Sequence, residues 1–195
     1  MLNLKRKNIK LLDCTLRDGG YYNNWNFSIT FIKKYLLEIE KANIRNIEIG
    51  FRFFKQKKKL GSLGYSKDSF LKKLNIPKKI NICVMVNSED FLNEINIEKD
   101  YLFNIKNKSR IDTIRFATHF RDIDNIIPYL KKAKKLGYKV IVNLMQCNDR
   151  SGNELKLATK KLVKANCISV LYFADSFGKM KPRDISNLFK IVKKY

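Results

Sequence analysis

Histidine and cysteine are scarce in this sequence, which has one histidine and four cysteines among its 195 residues. The cysteines, Cys14, Cys83, Cys147 and Cys167, show no Cys-x-x-Cys spacing, so a zinc site of the usual kind is not indicated. They fall in or beside apolar, strand-like segments, which favours free thiols in a reducing compartment. We therefore expect a cytoplasmic protein without disulfides.

Long apolar runs are also missing. No stretch approaches the roughly 18 apolar residues that a membrane-spanning helix needs. The basic residues 5–7 are not followed by the apolar segment of a signal peptide. Neither Gly-x-x-x-x-Gly-Lys nor Gly-x-Gly-x-x-Gly occurs, so nucleotide binding through those loops has no support.

Acidic residues are few, with 18 of them against 41 basic residues, which gives a net charge of +23. Such a charge is typical of proteins that bind nucleic acid or anionic membranes. The lysines, however, are spread along the chain together with abundant Asn and Ile, as A/T-rich coding produces, and the densest run (KQKKK, residues 55–59) is predicted to be a solvated loop. We therefore expect neither a nucleic-acid nor a membrane partner.

Apolar, strand-like runs alternate with amphipathic, helix-like ones along the chain. The predicted strands are residues 9–13, 46–50, 80–86, 112–117, 139–145 and 168–174. The predicted helices are residues 28–41, a short piece around Phe70, 89–107, 123–136 with Gly137 as its C-terminal cap, 152–165 and a last one from Pro182. This alternation predicts an α/β fold with a parallel sheet.

Six such units of about 33 residues each indicate a (β/α)₈ barrel that lacks two units, since eight would need roughly 260 residues. We expect one domain over residues 1–195. An open, doubly wound sheet of six strands is the alternative.

Polar residues follow nearly every predicted strand at its carboxyl end, where parallel α/β proteins bind ligands. They are Asp13, Arg17, Asp18, Glu48 on the second strand, Asn87, Thr118, His119, Gln146, Asp175 and Ser176.

The stretch LLDCTLRDGG places Arg17 and Asp18 beside Gly19 and Gly20. A carboxylate at a strand end can coordinate Mg²⁺ or Mn²⁺, and a guanidinium can hold a carboxylate or stabilise an enolate oxygen. We expect the two glycines to form a turn with positive φ that lets the substrate approach closely. A purely structural Arg17–Asp18 salt bridge is equally compatible with the spacing.

Glu48 lies in the apolar run NIEIGF, where a carboxylate is costly unless it is paired. We expect it to bond Arg17 or the water shell of a metal, the alternative being a solvent-facing position on an edge strand. His119, the only histidine, is more often a packed or surface residue in such a context. The aromatic segment GYYNNWNF is either a lid over the first strand end or a hydrophobic seal.

Three blocks together resemble one family. DCTLRDGG resembles the D-x-T-L-R-D-G signature of the pyruvate-handling, metal-dependent aldolases, a family that includes HMG-CoA lyase, isopropylmalate synthase and homocitrate synthase. IRFATHF and VLYFADSFGKMKPRDI resemble the R-V-A-T-H and Y-M-A-D-S-G-G-A-M blocks of its 4-hydroxy-2-oxovalerate aldolase group. The resemblance implies a (β/α)₈ barrel and a lyase that makes or breaks a C–C bond through the enolate of a 2-keto acid. A condensing enzyme that joins an acyl-CoA to a 2-keto acid is the alternative in the same superfamily.

The resemblance also implies roles for individual residues. Asp18 is a ligand of Mn²⁺ or Mg²⁺, Arg17 stabilises the pyruvate enolate, and Glu48 helps to place Arg17 or the metal. His119 and Asp175 match motif positions that support the ligands, and we group Gln146 with them as a substrate or supporting residue.

Two departures from the family pattern stand out. Tyr21 occupies the position of the histidine that serves as general base, and a phenol with an ordinary pKa near 10 is a poor base. Either its pKa is depressed, another group serves, or the reaction differs. The family also takes metal ligands from a His-x-His on strand seven, which one histidine cannot supply. A non-catalytic barrel that binds a partner is therefore the alternative, and its open sheet edges would favour a homo-oligomer.

Overall fold

The structure is a computed structural model that describes residues 10–53, 59–92 and 106–195. Most of the basic run at 55–59, and residues 93–105 of the predicted helical region, lie outside these ranges. The described helices are α1 (Thr15–Asn23), α2 (Ile29–Lys41), α3 (Ser62–Tyr65), α4 (Asp68–Leu71), α5 (Ser88–Leu92), α6 (Ile123–Lys135), α7 (Gly152–Lys164) and α8 (Pro182–Val192). The strands are β1 (Asn46–Phe51), β2 (Asn81–Asn87), β3 (Ile111–Thr118), β4 (Lys139–Leu144) and β5 (Val170–Phe173).

The strands form a five-stranded sheet in the order β1-β2-β3-β4-β5, which is also their order in the chain. β3 pairs in parallel with β4, with Thr113 opposite Lys139 and Thr118 opposite Leu144. β4 pairs in parallel with β5 from Ile141 opposite Val170 onward. A doubly wound sheet would reverse its strand order at a switch point. The uninterrupted order therefore excludes that alternative, and the predicted α/β class is confirmed.

The described residues divide into two compact units. The first unit comprises the described residues up to Arg52 and those from 59 to Val84. The second unit comprises Phe53 and the described residues from Met85 to Tyr195. The division falls within β2.

Helix α2 shows how the sequence forms the first unit. Its N-cap, Ser28, accepts a hydrogen bond from the backbone N–H of Phe31 at 3.1 Å. Ile32, Leu36 and Ile39 recur at helical spacing and are buried, as predicted. The stripe packs α2 into the apolar core of this unit, which also contains Leu16, Ile47, Ile49 and Leu74.

The second unit is built from β3, β4, β5 and helices α5 to α8. Helix α6 ends just before Gly137, whose φ of 97° confirms the predicted C-terminal cap. Helix α7 begins with a capping box, in which the Ser151 and Glu154 side chains each bond the other residue's backbone N–H. Pro182 opens α8, also as predicted. Within the described residues, no helix combines the length and the apolarity needed to cross a bilayer.

The start of the chain departs from the prediction. Of the predicted strand at residues 9–13, the described part forms one isolated parallel bridge between Asp13 and Ile47. The predicted glycine turn is wrong as well, because Gly19 and Gly20 lie inside α1. The Asp13 carboxylate accepts the N–H of Thr15, the first residue of α1, at 3.0 Å and so satisfies one of the backbone donors that a helix start leaves unpaired.

All four cysteines are free thiols, as predicted, and three of them are buried.

Candidate functional site

Arg17 links two carboxylates in the first unit. Its Nε donates to Oε1 of Glu48 at 2.7 Å, and its Nη1 lies 2.6 Å from Oδ1 of Asp18. The guanidinium carbon sits 5.8 Å from the centroid of the Phe51 ring, a cation–π distance. The expected bond between Glu48 and Arg17 is present.

Glu48 is fully buried on β1, so a solvent-facing Glu48 is wrong. Its second carboxylate oxygen, Oε2, accepts a weak bond from the Cys83 thiol on β2 at 3.7 Å. A buried carboxylate persists only when a charge and hydrogen bonds compensate its lost hydration. Arg17 and Cys83 provide that compensation.

The Arg17 side chain is 13% exposed, and burial by itself lowers its pKa. The charge of Glu48, its hydrogen bond and the charge of Asp18 outweigh burial and raise the Arg17 pKa above its ordinary value. Arg17 is therefore a permanent cation whose direction Glu48 fixes.

Asp18 occupies the first turn of α1, where the positive end of the helix dipole favours a carboxylate. Its side chain is 59% exposed, unlike that of Glu48. A carboxylate oxygen is a ligand that Mg²⁺ accepts, but Mg²⁺ requires near-octahedral oxygen coordination. Over the described ranges, no group of three or more His, Cys, Asp or Glu side chains is placed to hold a metal ion. Asp18 alone therefore does not fit a complete site for Mn²⁺ or Mg²⁺.

Asp13 anchors the helix that carries Arg17, a role that sequence reasoning missed. Its carboxylate accepts bonds from the Tyr35 hydroxyl on α2 and from Oγ1 of Thr15, the latter at 3.1 Å. Burial, followed by the bond to Asp13 and the charge of Asp13, raises the Tyr35 pKa well above its ordinary value. The local sequence carried no clear signal of it, because a capping Asp stands directly before the first helical residue, whereas Asp13 lies two residues before Thr15.

The aromatic cluster (Tyr21, Trp25 and Phe51) lies where α1 packs against β1. Trp25 packs edge-on against Tyr21 and Phe51, with ring centroids 5.0 and 5.3 Å apart. Trp25 is 6% exposed, whereas Tyr21 is 63% exposed. The cluster therefore buries the indole and leaves the phenol of Tyr21 accessible beside Arg17.

Gly20 is required by packing against this cluster. A Cβ on Gly20 would overlap the indole ring of Trp25, whereas a Cβ on Gly19 would meet Phe27 Cζ at an ordinary 3.7 Å. Neither glycine has a positive φ, since among the described glycines only Gly137 and Gly178 do. The predicted backbone role of the pair is replaced by close packing at Gly20.

The other predicted site residues lie in the second unit. His119 follows β3, and its Nε2 is 3.7 Å from Glu89 Oε2, while Arg121 Nη2 bonds the other oxygen of Glu89 at 2.8 Å. The preceding Thr118 is buried and shares a hydrogen bond of 2.8 Å with the Ser88 hydroxyl.

Gln146 and Asp175 both make hydrogen bonds to the loop at residues 175–180. Gln146 has a left-handed backbone (φ 57°), and its N–H donates to Ser176 Oγ at 3.0 Å. The Asp175 carboxylate accepts the N–H groups of Met180 at 2.7 Å and Lys179 at 3.0 Å. These bonds, Met180 first, lower the Asp175 pKa. Asp175 therefore shapes the loop at residues 175–180 with its carboxylate oxygens.

The comparisons with known proteins agree on one family. The family model described as HMGL-like matches residues 8–195. A 4-hydroxy-2-oxovalerate aldolase from Pseudoalteromonas translucida (strain TAC 125) is 24% identical over 197 residues, which covers 98% of this chain and 54% of that protein. One from Geobacillus thermodenitrificans (strain NG80-2) is 22% identical over 191 residues, which covers 96% of this chain and 53% of that protein. The chain thus spans about half the length of these curated relatives.

A solved structure gives the same answer. It is a crystal structure described as the N-terminal domain of a putative aldolase from Bacteroides vulgatus, with 33% sequence identity and a TM-score of 0.80. The match covers 96% of this chain and 61% of that one. The resemblance drawn from the three sequence blocks is thereby confirmed: the chain belongs to the HMGL-like family, whose fold is the TIM barrel.

Proposed function

We propose that this chain carries the keto-acid-binding part of an aldolase-type carbon–carbon lyase, in which Arg17 stabilises the enolate of a 2-keto acid. The observation that supports it most is the buried Glu48 carboxylate holding Arg17 beside the exposed Asp18. The HMGL-like match and the aldolase relatives support lyase-type chemistry at the level of the superfamily.

The geometry of Arg17 suits an oxyanion. A guanidinium has five N–H donors in a planar fork. Within the described residues, Nε is held by Glu48 and Nη1 faces Asp18, which leaves Nη2 for a ligand. Because Glu48 fixes the fork in advance, the charge that develops on an enolate oxygen meets a donor that needs no reorganisation.

A metal has a limited place in this proposal. Enzymes of this family are generally dependent on a divalent metal. Around Arg17 the described residues offer the Asp18 carboxylate and no cluster of three ligating groups. The proposed function therefore derives no step from Mn²⁺ or Mg²⁺, and the metal role of Asp18 stays a prediction.

Binding of oxalate, a planar dianion shaped like the pyruvate enolate, tests the role of Arg17. We expect the full chain to bind oxalate in calorimetry, and Arg17→Gln to weaken binding by about tenfold or more, since a charge-assisted hydrogen bond contributes about 1.5–3 kcal/mol. Arg45→Gln is the matched control, because this substitution removes the same charge from an exposed site. There the Arg45 side chain bonds a neighbouring side chain, at Asn43 Oδ1, over 3.4 Å. Equal oxalate affinities in wild type and Arg17→Gln would refute the proposal.

A binding module without turnover is the second candidate function, favoured by the lack of a metal-ligating cluster among the residues the structure covers. Exchange of the pyruvate methyl protons with D₂O separates the two candidates, because the exchange requires the enolate to form. Exchange in the presence of Mg²⁺ that is lost in Asp18→Asn supports the lyase and the metal role. Oxalate binding without any exchange supports the binding module.

A further inference from the structure

We propose that Trp25 is a positioning residue for Arg17: its indole ties the backbone of α1 at Arg17 and thereby sets where the guanidinium points. The inference rests on the proposed role of Arg17 in keto-acid binding. No motif match assigns a role to Trp25, and the sequence indicated only that it belongs to the aromatic segment GYYNNWNF.

The first observation is a hydrogen bond that reaches back eight residues. The indole Nε1–H of Trp25 donates to the backbone carbonyl of Arg17 at 2.9 Å. The backbone N–H of Trp25 donates to the carbonyl of Gly20 at 3.0 Å. Two bonds from one residue therefore fold the segment after α1 back onto the turn of the helix that bears Arg17.

The second observation is the backbone of Trp25. Its φ is 58°, a left-handed value that costs a bulky residue of order 1–3 kcal/mol. Such a conformation persists only when the surroundings hold it. Here Gly20 lies under the ring and Gly61 lies against the Trp25 carbonyl, and at both glycines a Cβ would overlap Trp25.

The third observation connects the indole to the charged end of Arg17. Phe51 lies 5.3 Å from the Trp25 ring and 5.8 Å from the guanidinium carbon of Arg17. Trp25 thus contacts Arg17 at its backbone directly and at its guanidinium through Phe51.

The ion pair of Arg17 and Glu48 depends on the distance between α1 and β1. The bond from Arg17 Nε to Glu48 is 2.7 Å long and tolerates little displacement of the helix. In enzymes, misplacement of a positioning group by about 1 Å can lower the rate by as much as about 10²-fold. The indole bond to the Arg17 carbonyl opposes that displacement of the helix.

The test uses the single tryptophan. Biosynthetic replacement of tryptophan by 3-benzothienylalanine exchanges the indole N–H for sulfur at position 25 alone and keeps the ring, and Trp25→Phe removes the donor in a second way. Phe27→Leu is the control, since Phe27 lies in the same segment, packs near Gly19 of α1 and stacks on Phe31 at 5.7 Å, but its side chain has no hydrogen-bonding group. The readouts on the full chain are hydrogen exchange of the Arg17 Nε–H by NMR, assigned with Arg17→Lys, and oxalate affinity.

We expect both Trp25 replacements to speed Arg17 Nε–H exchange and to weaken oxalate binding about fivefold, as for the loss of one hydrogen bond, with Phe27→Leu unchanged. In an Arg17→Gln background, Trp25→Phe should weaken binding no further, because its effect passes through Arg17. Unchanged exchange in the folded benzothienyl protein would overturn the inference, as would an equal loss of affinity in the Arg17→Gln background. Faster exchange in a protein that binds no oxalate even as wild type would uphold the positioning and refute the proposed function.

Discussion

At the scale of single residues, Glu48 and Arg17 each make the burial of the other tolerable. The Glu48 side chain is fully buried and that of Arg17 is 13% exposed, so either charge alone would be stranded in a poorly hydrated site. The pair is thus a structural element of the first unit. Asp18 differs, because its exposed carboxylate has little effect on stability and is available to a ligand.

Glu48→Gln tests how much the buried Glu48 carboxylate contributes to the stability of the fold. Glutamine keeps the shape but leaves Arg17 without its buried counterion, so we expect the free energy of unfolding in urea to fall by about 3 kcal/mol. Glu38→Gln is the control: it removes an exposed partner of Lys41 at 2.9 Å, and we expect a change within about 0.5 kcal/mol. Equal losses in the two variants would contradict the structural role of the buried pair.

At the scale of elements, prediction succeeded where periodicity decides the structure. Helix α2 followed from Ser28 and the stripe of Ile32, Leu36 and Ile39. Helix α1 was missed, because two adjacent glycines normally break a helix. Here the Asp13 carboxylate bonds the first N–H of the helix, and the ring of Trp25 takes the space that a side chain at position 20 would fill.

In the candidate site too, local sequence predicted some contacts and missed those that depend on the course of the chain. The bond between Arg17 and Glu48 was expected because an acid in an apolar strand needs a partner. The bond from Trp25 to the Arg17 carbonyl depends on how the chain returns after α1, which no local pattern encodes. Whether Tyr21 replaces the general base stays a prediction.

Alanine substitutions of the two glycines of α1 test whether packing against Trp25 requires glycine at position 20 only. Alanine is favoured over glycine in a helix interior by about 1 kcal/mol, so Gly19→Ala, which has room for a Cβ, should raise the melting temperature. Gly20→Ala gains the same propensity but displaces the Trp25 ring, and we expect a net loss of about 1–3 kcal/mol. Thermal unfolding followed by circular dichroism measures both. A gain in both variants would show that the indole can move aside at little cost.

At the scale of the whole molecule, the net charge of +23 is the dominant electrostatic feature. Like charges repel one another most in the compact state, so such an excess destabilises the fold. Salt weakens this repulsion, but it also screens the attractive ion pairs. The exposed pairs, such as that of Lys161 and Asp124, contribute little, whereas the buried pair of Arg17 and Glu48 is poorly screened. Repulsion should therefore respond to salt more strongly than attraction does.

We accordingly expect the protein to become more stable as NaCl is raised from about 0.01 M to about 0.15 M, where the Debye length falls from about 30 Å to about 8 Å. If screening recovers about 1 kcal/mol, the melting temperature rises by about 3 °C. Choline chloride at the same ionic strength should give the same rise, because screening depends on ion charge and not on a specific cation site. A fall in melting temperature would mean that attractive pairs outweigh the net charge. If a divalent salt raised the melting temperature far more than NaCl of the same ionic strength, the difference would instead indicate a bound metal.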